Sequence, residues 1–161
     1  MSQAEQPQEA KKTPQKSSRR RSREFAVQGL YQWQLTGDGV ANIERFLRDS
    51  STSFVRADET LFRELFYNAL RDAEALKTAL APHLDRDEID VSPVERAVLL
   101  VAAFELIHKP ETPYAVVINE AIEIAKTFGG TDGHRFVNGV LDKLAAEVRT
   151  AEVEAGRNRR R

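Results

Sequence analysis

Cysteine is missing from the sequence, which excludes disulfide bonds, thiolate metal sites and thiol catalysis. Histidine is scarce, and the three residues of this type are too widely separated along the chain to suggest a zinc site. Long apolar runs are also lacking, since the longest, residues 97–104, is far short of the roughly 20 residues that span a bilayer. We therefore expect a cytoplasmic protein with no membrane segment, no metal and no cofactor.

Positive charge is concentrated at the two ends of the chain. Residues 1–23 carry a net charge of +5 and residues 149–161 one of +3, so the segment between them carries −9 within a total of −1. Basic ends on an acidic body suggest two kinds of partner, a polyanion for the ends and a basic surface for the body. The alternative is that the charged ends only keep the protein in solution, and composition does not distinguish the two.

Helical periodicity dominates the middle of the chain, with no convincing alternating pattern of a β-strand. The clearest helix start is Ser92-Pro93-Val94-Glu95, which combines a capping hydroxyl, a proline at the first helical position and a glutamate three residues after the cap. The apolar residues 97–104 that follow predict a helix in the middle of the fold. The sequence thus predicts an all-α protein, a compact bundle of six to seven helices.

Helix boundaries can also be predicted from the pattern. We predict a first helix from about Arg19 to Leu35, which Gly37-Asp38-Gly39 ends, a second over Val40–Asp49, and a long third helix that follows Asp58 and ends at Pro82. In the second helix, three apolar residues are expected to face the core: Ile43, Phe46 and Leu47. The two ends of the chain contain too few apolar residues to offset the entropy of ordering. We therefore predict a disordered basic tail over residues 1–17, a helical domain over 18–150 and a disordered arginine-rich tail over 151–161.

Candidate catalytic features are weak. Glu120 and Glu123 lie one helical turn apart and could form a carboxylate pair, but no nucleophile or metal ligand accompanies them. The glycine-rich segment 129–133 follows a helix instead of a strand, and it lacks the Gly-Lys-Ser/Thr ending of a phosphate-binding loop. A solvated helix face and a helix end are the better interpretations, and we predict no enzymatic activity.

A compact arginine cluster leads directly into the first helix. Its members are Arg19, Arg20, Arg21 and Arg23. Guanidinium groups bind phosphate through two N–H groups at once and stack on bases, so a cluster at a helix entrance suits single-stranded RNA. Positive charge at this end opposes the helix dipole, a mild cost that is tolerable if the cluster meets an anion.

The start of the last helix carries a second candidate RNA-binding patch. Its members are Asp132, His134, Arg135, Phe136, Asn138 and, further along, Lys143. Thr131 or Asp132 is expected to cap this helix. Phe136 lies at the edge of the apolar stripe, where spacing favours a core position over an aromatic platform on which a base stacks. Asn138 either satisfies backbone groups or contacts a base edge, and spacing does not decide between them.

Three stretches of the chain resemble the NusB family, and together they cover about residues 19–148. They are Arg23–Trp33 (REFAVQGLYQW), Val94–Leu106 (VERAVL, then FEL) and Pro113–Lys143 (PY, NEAIEIAK, FG and FVNGVLDK in order). Two positions depart from the pattern. Gly29 stands where alanine is common, at a cost of about 1 kcal/mol in helix propensity, and Gly133 stands where serine is frequent.

The resemblance implies an all-helical fold of two small helical subdomains and a function in transcription antitermination. It implies binding to the boxA element of nascent RNA, notably in ribosomal RNA operons, jointly with NusE, a ribosomal protein of the small subunit. It also implies association with the RNA polymerase antitermination complex. Two alternatives stay open: a helical scaffold without specific RNA binding, and an RNA-binding module related to the N-terminal domains of ribosomal RNA methyltransferases.

The same resemblance implies roles for individual residues. Those matched to RNA binding are Arg19, Arg20, Arg21, Arg23, Asp132 and Phe136, and this match shifts the interpretation of Phe136 from core toward function. Tyr31 and Glu95 match positions on or near the side that faces NusE. An apolar strip on the first helix could serve NusE or a second copy of the chain, so a homodimer also stays open.

Overall fold

Eight α-helices make up the part of the chain that the structure, a computed structural model, describes: residues 16–128 and 132–159. Numbered α1 to α8 in chain order, they are Ser18–Thr36, Val40–Ser50, Glu59–Arg71, Ala73–Leu80, Pro93–His108, Tyr114–Phe128, Gly133–Val148 and Thr150–Arg159. Short 3-10 helices lie at Thr52–Arg56, Ala81–His83 and Glu88–Asp90. The predicted all-α fold is confirmed, whereas a count of six to seven helices is too low. The predicted N-terminal tail lies almost wholly outside the described residues.

The long third helix that the sequence predicts is in fact two helices, α3 and α4. They meet at Asp72, whose backbone (φ −97°, ψ 15°) departs from helical geometry. Its N–H donates to the carbonyls of Asn68 and Leu70, which closes α3. The break lies at an aspartate, and neither proline nor glycine marks it. The sequence pattern therefore does not reveal that the helix ends here.

α8 is a further difference, because the sequence analysis predicted a disordered tail there. Arg149 is buried just before it and binds Glu152 Oε2 (2.6 Å), while Glu152 Oε1 accepts the N–H of Tyr114 (2.9 Å). The Arg149 guanidinium also donates to carbonyl oxygens at the end of α5 and in the following turn, those of Glu105, Leu106, Lys109 and Thr112. Val153 adds an apolar contact. The disorder prediction is therefore wrong as far as Arg159, because Arg149 anchors the helix in the fold.

Predicted helix ends are confirmed at α1 and α5. Ser17 Oγ accepts a backbone N–H from the first turn of α1 (3.0 Å), and Gly37 closes the helix by donating its N–H to Trp33 O (2.9 Å). The positive φ of Gly37, 69°, is a conformation that favours glycine. Ser92 Oγ accepts the N–H of Glu95 (3.1 Å) and so caps α5. The reciprocal hydrogen bond from Ser92 N–H to the Glu95 carboxylate is not formed in the described part of the chain, so only half of the predicted capping box is confirmed.

α5 is the central helix and packs against α1, α3, α4, α6 and α7. All of residues 97–104 are buried, as the sequence predicts. Despite this apolar helix, none of the described helices has the length and hydropathy needed to cross a membrane. Beside α5, a row of aromatic rings with centroids 4.9, 5.1 and 5.5 Å apart joins α1 to α3: Phe25, Phe54, Phe62 and Phe66. These rings give the N-terminal half of the fold a dense aromatic core.

The aromatic row provides a structural reason for a glycine at position 29. A Cβ at this position would lie 2.7 Å from Cε2 of Phe66, whose ring is fully buried. The glycine lets α1 approach α3 more closely than a side chain would allow.

The expected inward position of Phe46 is wrong. Ile43 and Leu47 are buried as predicted, but Phe46 is 55% exposed. α2 lies at the edge of the fold, with its main contacts to α1 and the 3-10 helix after it, so its buried stripe is narrow. Phe46 points about 100° around the helix from Leu47, outside that stripe.

A polar network on Glu44 fixes α2 to α3. Its carboxylate accepts hydrogen bonds from Arg48 (3.2 Å), Arg63 (2.9 Å) and the Tyr67 hydroxyl (2.7 Å). Burial raises the pKa of Glu44, but the hydrogen bonds from Tyr67, Arg63 and Arg48 outweigh that effect and hold the pKa below its ordinary value. The folded state therefore favours the ionised carboxylate.

Candidate nucleic-acid interface

The four arginines at the entrance of α1 have different environments. Arg19 is exposed and Arg21 is half-buried, and neither forms an ion pair within the described ranges 16–128 and 132–159. Arg20 and Arg23 each bind a carboxylate on another helix. Only two of the four therefore carry a charge that the described part of the fold does not balance.

Arg20 is held by Glu120 of α6. Its Nε and Nη2 atoms donate to the two carboxylate oxygens at 2.7 and 3.0 Å, a bidentate pair of which 31% of the arginine side chain and 18% of the glutamate side chain are exposed. The hydrogen bond that Arg20 donates to Glu120 raises the pKa of Arg20 above its already high ordinary value. Nη1 has no partner among the described residues, so Arg20 keeps part of its donor capacity. Glu120 is thus an ion-pair partner and not merely a solvated residue.

Arg23 lies in the core. Its Nε and Nη2 atoms donate to the carboxylate of Glu105 at 2.7 and 3.0 Å, and the two side chains are 5% and 1% exposed. A guanidinium enclosed in this way is not presented to solvent. The RNA-contact role that the sequence analysis gave to Arg23 has no support in this position.

The entrance of α1 is also tied to α3. Ser22 Oγ donates to the backbone carbonyl of Asp58, the N-cap residue of α3 (2.6 Å), and the Asp58 N–H donates to Ser18 O (3.3 Å). The Asp58 carboxylate caps α3 by accepting the N–H of Leu61 (3.1 Å). These contacts fix the first turn of α1, and with it the direction in which Arg19 leaves the helix.

The second candidate patch lies at the start of α7. Asp132 takes the N-cap position, but its side chain makes no capping hydrogen bond, and the alternative cap Thr131 lies outside the described residues. Arg135 and Lys143 are exposed, and His134 and Asn138 are half-buried. The patch therefore presents two cations and two hydrogen-bonding side chains within three helical turns.

Phe136 is buried, with 7% of its surface exposed. The guanidinium carbon of Arg86 lies 3.9 Å from the centroid of its ring, in cation–π geometry. Arg86 belongs to the loop between the second and third 3-10 helices and was not selected from the sequence. The ring of Phe136 is therefore not open to a base in this conformation.

Tyr31 and Glu95, the residues matched to a protein partner, lie in one region. Tyr31 lines a mostly apolar surface groove together with Val27, Gln28, Val94 and Phe128. Glu95 follows Val94, and its Oε1 would lie 3.3 Å from a Cβ at Gly133 in the first turn of α7. Tyr31 and Leu35, one turn apart on α1, are 38% and 59% exposed, which matches the expected apolar strip.

No cluster of three or more potential metal ligands occurs within residues 16–128 and 132–159. The arrangement offers separate cationic surfaces, an apolar groove and buried ion pairs. Such a surface can bind a polyanion and a protein.

Comparison with known proteins identifies the family. Residues 20–146 match the model of the NusB family. This chain belongs to the NusB family. It is 64% identical over 146 residues to the transcription antitermination protein NusB of Laribacter hongkongensis. This match covers 91% of this chain and 88% of that protein. It is 60% identical over 147 residues to the protein of the same name from Chromobacterium violaceum, with 91% and 98% covered.

A solved NusB structure has the same fold. T. maritima NusB matches this chain with a TM-score of 0.71 at 28% identity, and the match covers 87% of this chain and 99% of that one. The helical arrangement is therefore shared with a NusB protein whose sequence is far more distant than those of the two relatives.

Within this NusB-family fold, the residues predicted for RNA binding fall into two groups. Those that reach solvent are Arg19, Arg20, Arg21, Asp132, His134, Arg135, Asn138 and Lys143, and those that are buried are Arg23 and Phe136. The sequence contains a signal for Arg23, because it shares helical spacing with the buried Val27 and Leu30. The sequence also contains a signal that Glu105, the partner of Arg23, is buried, since this residue directly follows the apolar run 97–104. No sequence signal points to Arg86, because its contact with Phe136 forms only in the folded chain.

Proposed function

We propose that this chain is a transcription antitermination factor that binds single-stranded boxA RNA of nascent transcripts, notably of ribosomal RNA operons, together with NusE. It acts within the RNA polymerase antitermination complex by binding alone, without covalent chemistry. The observation that carries the proposal is the pair of solvent-accessible, unbalanced arginines, Arg19 and Arg21, at the entrance of α1 in a NusB-family chain. The names of the two bacterial relatives point the same way.

The RNA backbone binds at the entrance of α1. Arg19 and Arg21 attract phosphates because no carboxylate of the described residues balances their charge. Arg20 contributes its Nη1 group, oriented by the bidentate contact with Glu120. These contacts give affinity and register without sequence preference.

The start of α7 supplies a second RNA contact at a distance. α1 and α6 run in the same direction, since Arg20 binds Glu120, and Tyr31, 11 residues later, shares a groove with Phe128 at the end of α6. Tyr31 and Phe128 therefore lie about 16 Å along α1 from Arg20, and α7 begins shortly after Phe128 in the chain. A strand that reaches both surfaces is extended, as unpaired RNA is, and its exposed bases are available to side chains such as Asn138.

NusE docks in the groove that Tyr31 lines. The groove is mostly apolar, as the centre of a protein interface tends to be, and Glu95 lies beside it. The segment 24–148 carries a net charge of −9, which complements a cationic partner. The groove lies next to the start of α7, so NusE and RNA occupy neighbouring surfaces.

Binding to a labelled RNA with a boxA element, compared with a scrambled RNA of the same composition, tests the proposal. Each RNA is titrated with the protein alone and with the protein mixed with NusE, over a series of salt concentrations. We expect preference for the boxA RNA, tighter binding with NusE, and affinity that falls with salt. Equal and negligible binding to both RNAs would favour a helical scaffold. Sizing the protein alone and then with NusE tells whether the apolar strip on α1 joins NusE or a second copy of the chain.

Arg71→Ala is a matched control for variants in the α1 cluster. Arg71 ends α3, about 20 Å along the helix from the contact between Ser22 and Asp58, and it pairs only with its neighbour Asp72 among the described residues. The Arg71→Ala variant removes one positive charge from an exposed position, as each single substitution in the α1 cluster does. A loss of binding that is specific to the cluster should therefore be absent from this variant.

A further inference from the structure

Arg86 occupies the position that a stacked base would take on Phe136. Its guanidinium carbon is 3.9 Å from the ring centroid, its Nε donates to Asp85 Oδ1 (3.0 Å), and 37% of its side chain is exposed. Both Nη groups are without a hydrogen-bond partner in the described part of the chain. The outer edge of the guanidinium is therefore the accessible part of this contact, and the ring beneath it is not.

The ring and the guanidinium fix each other's position. Phe136 is 7% exposed, so its place in α7 is set by core packing, and its ring provides a rigid surface for a long side chain that would otherwise sample many rotamers. A guanidinium stacked on an aromatic face keeps its in-plane N–H donors free for other partners. Arg86 is thereby oriented before any ligand arrives.

Arg86 is a single basic residue in an acidic loop. Between Leu84 and Val91 it is the only basic residue, and four carboxylates surround it in sequence: Asp85, Asp87, Glu88 and Asp90. The four carboxylates disfavour diffuse attraction of a polyanion, so any RNA contact at this loop depends on the guanidinium. The loop reaches the start of α7, where Arg135 of the second patch lies on the residue before Phe136.

We propose that Arg86 binds an RNA phosphate through its two Nη groups, and that Phe136 is a positioning residue that acts through Arg86. The inference rests on the proposed RNA-binding function and adds a contact to its second patch. It accounts for a phenylalanine that lies in the RNA-facing region yet is closed to solvent. It also gives the loop between the 3-10 helices a part in recognition.

A double-mutant cycle of Arg86→Ala and Phe136→Leu tests the inference, with the same boxA and scrambled RNAs as probes. Arg86→Ala should weaken boxA binding by about tenfold, the loss of one charge-assisted contact. It should also lower the dependence of log K on log salt by about 0.7, the value for one phosphate on a single strand. Phe136→Leu should weaken binding several-fold in the wild-type background and have no further effect in the Arg86→Ala background.

The opposite results are equally specific. If Phe136→Leu weakens binding to the same degree in both backgrounds, the ring contacts a base directly and the inference is wrong. If Arg86→Ala tightens binding, the guanidinium blocks a ring on which a base stacks, and the inference is wrong. Thermal unfolding of each variant is followed in parallel. Should Phe136→Leu fail to fold, Arg86→Lys decides the question, because it leaves the core intact and keeps the charge but loses the planar pair of donors. We then expect a several-fold loss of affinity with the salt dependence retained, and unchanged affinity overturns the inference.

Failure of the inference can be told apart from failure of the proposed function. If variants of Arg19 and Arg21 weaken boxA binding and variants of Arg86 do not, the inference fails and the function stands. If the wild-type protein with NusE does not distinguish boxA from scrambled RNA, both fail.

Discussion

Replacing Arg19 and Arg21 together with alanine should remove most of the salt dependence that the entrance of α1 gives to RNA binding. Both side chains are accessible and have no carboxylate partner within residues 16–128 and 132–159. Arg20 is paired with a carboxylate of α6, and Arg23 is enclosed in the core with a carboxylate of α5. We therefore expect the four arginines to contribute unequally.

The size of the effect follows from counterion release. Each phosphate contact on a single strand contributes about 0.7 to the slope of log K against log salt, so the double variant should lower the slope by about 1.4. In the wild-type protein, a fourfold rise in salt weakens two such contacts by about sevenfold, and the variant should lack this component. Arg20→Ala should change the slope by less than about 0.7, because a carboxylate already balances much of its charge.

Fluorescence anisotropy of a labelled boxA RNA over a salt series measures these slopes. The comparison includes wild-type protein, the double variant, Arg20→Ala and the control Arg71→Ala. Substitutions at the unpaired Arg19 and Arg21 and at the exposed Arg71 should change the free energy of unfolding by less than about 0.5 kcal/mol each, which thermal unfolding can verify. An equal loss of slope for each charge removed in the Arg71 control would show that diffuse charge, and not the α1 entrance, attracts RNA. An unchanged slope in the double variant would refute the reasoning outright.

Three further predictions concern the fold beneath the interface. Glu105→Gln should lower the free energy of unfolding by about 3–5 kcal/mol, because it leaves the Arg23 guanidinium buried without a counterion. Chemical denaturation measures this loss, and its absence would show that the ion pair is solvated. Gly29→Ala should lower the free energy of unfolding by about 1 kcal/mol in the same assay, since crowding against Phe66 outweighs the gain in helix propensity. A stabilised variant would contradict the close approach of α1 to α3. The pKa of Glu44 is lower in the folded than in the unfolded state, so its stabilising contribution is present above the unfolded pKa and is lost as pH falls through the folded one. The difference in melting temperature between wild-type and Glu44→Gln protein should therefore shrink below about pH 4, and a constant difference would contradict this.

Local features of the fold are predictable from the sequence because their causes are local. The cap at Ser92, the glycine that closes α1 at Gly37 and the apolar run of α5 all depend on residues within a few positions of one another. α8 was missed because its anchor is long-range: the Arg149 guanidinium reaches carbonyl oxygens 37 to 44 positions away. The predicted domain ended at residue 150, because the sequence does not show that Arg149 is buried and holds the residues that follow it.

The candidate site shows the same limit. The arginine cluster can be located from the sequence, but whether each arginine is available depends on carboxylates 82 and 100 positions away, Glu105 and Glu120. Arg86 escapes sequence analysis for the same reason, because its contact with Phe136 joins segments 50 positions apart. Helical spacing predicted the core position of Phe136, and family resemblance shifted the interpretation toward function. The positioning role that we propose for Phe136 under Arg86 is compatible with both its burial and a part in RNA binding.

The division among the four arginines follows from their angles around α1. Arg21 lies about 160° from Arg23, so when Arg23 points into the core Arg21 points away from it. Arg20 lies about 60° from Arg23, at the border of the buried face, where α6 supplies the carboxylate of Glu120. Arg19 shares the direction of Arg23 but precedes it by a full turn, beyond the end of the core. The ion pairs of Arg20 and Arg23 join α1 to α6 and α5, and they hold in place the helix turn from which the other two arginines reach solvent.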